Sequence, residues 1–139
     1  VKGLRTLIRV RRRQLDEKRR ELKDLEHLAA ELNGRLASLA TELRDEQVQA
    51  RESVEVGFSY GGYAQAVITR RENIEESLVA VGQQVADARE EVRIAFQELK
   101  RYEMTLESRE RVAIARRAQR EQRAMDELAL DRHRRGDPV

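Results

Sequence analysis

Residues 22–50 read LKDLEHLAAELNGRLASLATELRDEQVQA, with Leu22, Leu25, Ala29, Leu32, Leu36, Leu39, Leu43 and Ala50 falling in alternating steps of three and four once Glu46 is counted. A mean spacing of 3.5 residues returns every apolar side chain to one stripe of a slightly overwound helix, which is the mark of a left-handed coiled coil. Working outward, the steps continue back through Lys18, Leu15, Arg11, Ile8 and Leu4. A second stretch repeats them through Ala64, Val67, Arg71, Ile74, Leu78, Val81, Val85, Ala88, Val92, Ala95, Leu99, Tyr102, Leu106 and Arg109. The expected fold is all-α, a two-helix antiparallel coiled-coil hairpin with a longer second helix. Such a hairpin has no cleft, so its function lies in reach, contact and choice of partner.

Composition agrees. Charged residues make up 39% of the 139 positions and aromatics only 4%, which suits long helices and cannot fill a core several layers thick. A heptad held this long argues against disorder despite the charge. With no cysteine there is neither a disulfide nor a thiolate metal site. No run of eighteen apolar residues exists, so no membrane-spanning helix is expected. The start lacks the apolar middle of a secretory signal. It is basic and free of acids up to Asp16, as transit peptides are, but Leu4 and Ile8 already follow the heptad and favour a helix.

One domain is expected over residues 1–139, with helix 1 over about 4–55, a tip at 56–62 and helix 2 over about 63–134. The tip reads Val56-Gly57-Phe58-Ser59-Tyr60-Gly61-Gly62, and each glycine raises the cost of a continuous helix by about 1 kcal/mol. Gly57 is placed to end helix 1 and Ser59 to cap helix 2. A register in which residue i faces residue 117 minus i brings every seam position of one arm onto one of the other, with Leu36 on Val81, Leu43 on Ile74 and Glu46 on Arg71. Helix 1 then runs out near residue 113, where the apolar stripe of helix 2 shifts to Ile114, Ala118, Met125 and Leu128. The old seam line past Leu106 becomes Arg109, Ala113, Arg116, Arg120 and Arg123. The last twenty or so residues of helix 2 are therefore expected to be unpaired. Gly34 and Gly82 fall at nearly the same height in this register, either by coincidence or as a bend point.

Charge is polarised beneath a net of only +2. Residues 1–23 and 100–139, which share the open end of the hairpin, together carry +10, and residues 24–99 carry −8. Such a dipole bears on partner choice rather than fold. The run Arg9, Arg11, Arg12, Arg13, Lys18, Arg19, Arg20 has three readings: a solvated face paired with Asp16, Glu17 and Glu21, a nucleic-acid contact, or a surface steered into an acidic protein cavity. The interleaved acids and the lack of aromatics weigh against nucleic acid. Phe58, Tyr60 and Tyr63 crowd the tip. They either plug the hairpin end or form a binding hot spot, since aromatics bury much area at little entropic cost. No phosphate loop, nucleophile elbow or metal-ligand spacing is present, and His27 and His133 lack partners at ligand spacing. No enzyme activity, cofactor or metal is expected.

The architecture resembles the FliJ family, small stalk proteins of the bacterial flagellar type III export apparatus. The carriers are the basic start Leu4-Arg5-Thr6-Leu7-Ile8-Arg9-Val10-Arg11, the leucine heptad of the first arm, Tyr63 entering helix 2, and the charged tail from Arg109-Glu110-Arg111 to Met125-Asp126-Glu127-Leu128-Ala129-Leu130. The resemblance implies a non-enzymatic stalk at the flagellar base, cytoplasmic and peripheral to the inner membrane, serving flagellum biogenesis and, with it, motility and chemotaxis. It implies that the end bearing both termini enters the hexameric export ATPase, that the other end reaches the cytoplasmic ring of the export gate, and that export chaperones are partners. On this reading Arg9, Arg11, Arg12, Arg13, Ile114, Met125 and Leu128 serve the open end, and Phe58, Tyr60 and Tyr63 serve the tip. Neither nucleic acid nor membrane insertion is expected. The alternatives are the equivalent stalk of a virulence type III system, a nucleic-acid-binding helical arm, and a generic adaptor or holdase.

Overall fold

The computed structural model describes residues 2–52 and 54–136, the side chains of 54–60 excepted. They form two helices, α1 (Lys2–Glu52) and α2 (Val54–Arg135), of 51 and 82 residues. There is no strand among the described residues. The longer helix ends as helix termini commonly do. Gly136 takes a φ of 72° and its N–H donates to the His133 carbonyl at 3.1 Å. Arg132, His133, Arg134 and Arg135 lie in the last turn, where cations meet the negative end of the helix dipole.

The expected break at 56–62 is not where the helices part. Because α2 begins at Val54, Gly57, Gly61 and Gly62 stand inside it. Glycine's cost in a helix is a propensity, not a prohibition, and tertiary packing overrides it. Here Val67, one turn further on, is among the most deeply buried residues at 3% exposure. The roles expected of the Gly57 end signal and of the Ser59 cap are therefore not needed at those positions in the helix backbone, and the Ser59 side chain lies outside the described residues.

The chain divides into two compact units, one of residues 1–13 with 96–139 and one of residues 14–95. In each, a stretch of α1 packs antiparallel on a stretch of α2, so the helical hairpin expected from the heptads is the fold. In the second unit Leu15, Leu32, Leu39, Val67, Val81 and Ala88 are buried; in the first, Ile8 and Leu99 are. All fourteen α1 seam positions from Leu4 to Ala50 are buried or half-buried, Arg11, Lys18 and Glu46 included. On α2 the seam holds except at Arg71 and Arg109, which are exposed.

The register differs from the expected one. In the first unit Arg5 pairs with Glu110 at 2.7 Å, Arg12 with Glu103 at 3.3 Å and Arg11 with Glu98 at 3.1 Å. In the second, Lys18 pairs with Glu91 at 3.3 Å and Arg89 with Glu26 at 3.5 Å. The residue numbers of these partners add to 115 or 109, and two apolar pairs that share grooves, Ile8 with Leu106 and Leu39 with Ile74, add to 114 and 113. The centre of the pairing is thus shifted by about half a heptad from 117. Arg71 does not meet Glu46; it pairs with Glu75 in its own helix at 3.3 Å. The physical reason is that an apolar seam repeats itself every half heptad, so the shift exchanges one set of apolar neighbours for another at little cost. Flanking charges then decide. The 117 register would set Arg11 and Glu98 eight residues apart in height, about 12 Å, and Lys18 and Glu91 likewise. Exposed pairs are worth only about 0.2–1 kcal/mol each, but these two together outweigh the single Glu46–Arg71 contact.

Candidate partner-binding surfaces

The arginines of α1 near its start divide into two kinds. Arg11 is half-buried, donates to Glu98, and sits 5.6 Å from the centre of the Tyr102 ring. A cation over an aromatic face in a partly desolvated seam is held there by packing as well as charge. Arg12 donates to Glu103 through two nitrogens, at 3.3 and 3.4 Å. Both residues are therefore engaged in joining the helices. Arg9 and Arg13, one turn apart on the exposed side, have no carboxylate within ion-pair distance among the described residues. Of the four arginines expected at the open end, Arg9 and Arg13 have no carboxylate partner among the described residues, Arg12 pairs with Glu103 while its side chain stays 63% exposed, and Arg11 is half-buried in the seam. From Lys2 to Arg13, α1 carries six basic residues and no acid.

From residue 111 to residue 130 no described residue covers α2. Every residue from 111 to 130 is exposed, including Ile114, Met125 and Leu128, at 68%, 66% and 59%. The expected unpaired end of the longer helix is thus present, and these three side chains share one unit with Arg9 and Arg13. Sequence reading did not single out as site residues the line Arg109, Arg116, Arg120 and Arg123. None of these has a carboxylate within ion-pair distance among the described residues, whereas Arg111 pairs with Glu107 and Arg117 with Glu121. The signal was in the sequence, as the polar continuation of the apolar seam.

At the tip, the side chains of Phe58 and Tyr60 lie outside the described residues. Tyr63 is half-buried on α2 rather than projecting from a loop. Its burial, the Glu42 and Glu46 carboxylates and a hydrogen bond with Glu42 raise its phenol above the ordinary 10.0, with Arg70 opposing. The phenol stays protonated beside these carboxylates. Nearby, Leu39 and Ile74 floor an open groove of about 400 Å³ rimmed by Arg35, Glu42, Arg70 and Asn73. Sequence reading missed this groove, which depends on the register.

No metal-holding cluster of His, Cys, Asp and Glu exists among the described residues, and none of their helices is long and apolar enough to cross a membrane. What the surfaces offer is contact: free cations beside exposed apolar side chains at one place, and a groove floored by Leu39 and Ile74 at another. Comparison with curated proteins and with solved structures yields no match. The family model described as flagellar FliJ protein matches residues 2–137, nearly the full 139. The chain therefore belongs to the FliJ family of flagellar proteins.

Proposed function

We propose that this protein is a non-enzymatic stalk of the flagellar type III export apparatus, joining the export ATPase ring to the export gate. The observation that carries the proposal is the bare helix 111–130, exposed at every residue, in the same unit as the acid-free basic start of α1. A long helix with an apolar stripe costs solubility unless a partner covers it. The pore of a hexameric ring is a partner of the right kind, since it surrounds a helical end and engages every face. Arg9 and Arg13 steer the approach, and Ile114, Met125 and Leu128 make the apolar contact. The gate contact belongs to the tip, with Phe58, Tyr60 and Tyr63 as its aromatic residues. Export chaperones bind as further partners, and the work takes place on the cytoplasmic side of the inner membrane at the flagellar base. The family model is the flagellar one, which favours this setting over a virulence secretion system.

The test is truncation after residue 112 followed by assay of the export ATPase. Loss of ATPase stimulation with most of the helicity retained is the expected result. Stimulation at the full-length level would move the contact elsewhere.

A further inference from the structure

The face of α2 that covers α1 does not end where α1 ends. Leu99, Leu106 and Glu110, buried or half-buried, lie along one line of the helix, and at 3.6 residues per turn that line continues through Ala113, Arg117, Ala124 and Leu128. Ala113 and Ala124 are small, and between them a groove of about 440 Å³ opens on the helix surface, flanked by Arg117, Arg120 and Glu121. Small side chains on such a line let a second helix approach closely. The two sides of the line differ in chemistry. One carries Ile114, Ala118 and Met125; the other carries Arg109, Arg116, Arg120 and Arg123, without carboxylate partners among the described residues.

We infer that this line binds a partner α-helix, amphipathic, with one edge rich in Asp and Glu, laid along α2 beyond the stretch that α1 covers. The inference rests on the reading that the tail is a docking surface and adds the kind of partner it takes. Charge complementarity selects the occupant. The arginines are spaced by seven, four and three residues, the rises at which carboxylates recur along one edge of a helix. In the first unit the same chemistry already operates between α1 and α2, where Arg5 meets Glu110 and Arg12 meets Glu103 on the flanks of an apolar line. A nucleic-acid strand would use the arginines but leave Ile114, Met125 and Leu128 bare. A second copy of the tail would bring arginine edges together if laid antiparallel, and would set them against Ile114 and Met125 if laid parallel; neither arrangement gives them a row of carboxylates.

A designed helical peptide with Leu and Ala on one face and a row of Glu along one edge serves as the probe, titrated against the full chain by fluorescence anisotropy. Binding is expected, weakening with salt and falling at least about tenfold in the variant Arg116→Glu, Arg120→Glu, Arg123→Glu. A peptide with Lys in place of Glu should bind that variant instead. Ala124→Trp, which fills the groove without changing charge, should also weaken binding. Circular dichroism of each variant confirms that the helices persist. Three outcomes would overturn the proposal: no binding of the acidic peptide to the wild-type chain, binding indifferent to both kinds of variant, or self-association or an RNA oligonucleotide occupying the tail in its place. Because no ATPase is present, the result stands apart from the truncation assay: the peptide can fail while stimulation still depends on the tail, and the reverse.

Discussion

Leu32 and Leu128 are the same residue on helices of similar composition, yet Leu32 is 8% exposed and Leu128 is 59% exposed. Leu32 lies in the stretch where every α1 seam position is covered, and Leu128 lies where α2 has no described neighbour. The difference teaches that an apolar repeat states a demand for a partner and does not say who meets it. Within residues 14–95 the demand is met by the chain itself; along 111–130 it is left open. The arginines repeat the lesson. Arg11 is seated over Tyr102 and bonded to Glu98, while Arg116, Arg120 and Arg123 face solvent.

The comparison breaks most sharply if the covered region is not paired as described. Leu39→Cys with Ile74→Cys should be joined within one chain by a short thiol cross-linker almost completely, and Leu43→Cys with Ile74→Cys only in traces. The reverse ranking on a denaturing gel would restore the register of 117. Next in size is truncation of the two leucines. Leu32→Ala should destabilise by about 2–3 kcal/mol, because it empties part of a packed seam, whereas Leu128→Ala should stay within about 0.5 kcal/mol. Urea melts decide, and equal losses would mean that the tail is covered in the free protein. The smallest effect concerns Tyr63. Its phenol is raised in the folded state, so the folded chain holds a proton that the unfolded chain releases near 10.0. That contribution is complete below the unfolded value and is lost as pH rises through the folded one. Stability should therefore fall more steeply on the alkaline side in the wild type than in Tyr63→Phe. Parallel alkaline profiles of melting temperature would mean that folding does not raise the Tyr63 phenol.

Much of this was legible in the residues. The steps of three and four from Leu4 to Ala50 name the covered face of α1, including the unlikely members Arg11, Lys18 and Glu46, because periodicity is a property of the helix and not of residue type. The bare end of α2 was legible for the same reason, from the shift of its stripe after Leu106. The register was not. Seam residues are nearly interchangeable, and the pairs that settle the alignment, such as Lys18 with Glu91, lie on flanks where many charges offer alternatives. The glycines misled because a local cost of about 1 kcal/mol each was read as a boundary, whereas propensity is a weak preference and α2 runs through them. At the candidate sites, charge alone could not tell Arg9 and Arg13 from Arg11 and Arg12. That distinction required knowing where Glu98 and Glu103 stand.

No side chain among the described residues is less than 2% exposed. Each layer of the seam is one residue thick on either helix and touches little beyond the layers before and after it. Opening should therefore spread like a zipper, from layer to layer, and not as one all-or-none event. Backbone amide protons should exchange with solvent in a graded order, slowest around Leu32 and Val81 and fastest along 111–130, so the tail would lose its helical hydrogen bonds many times before the covered layers part once.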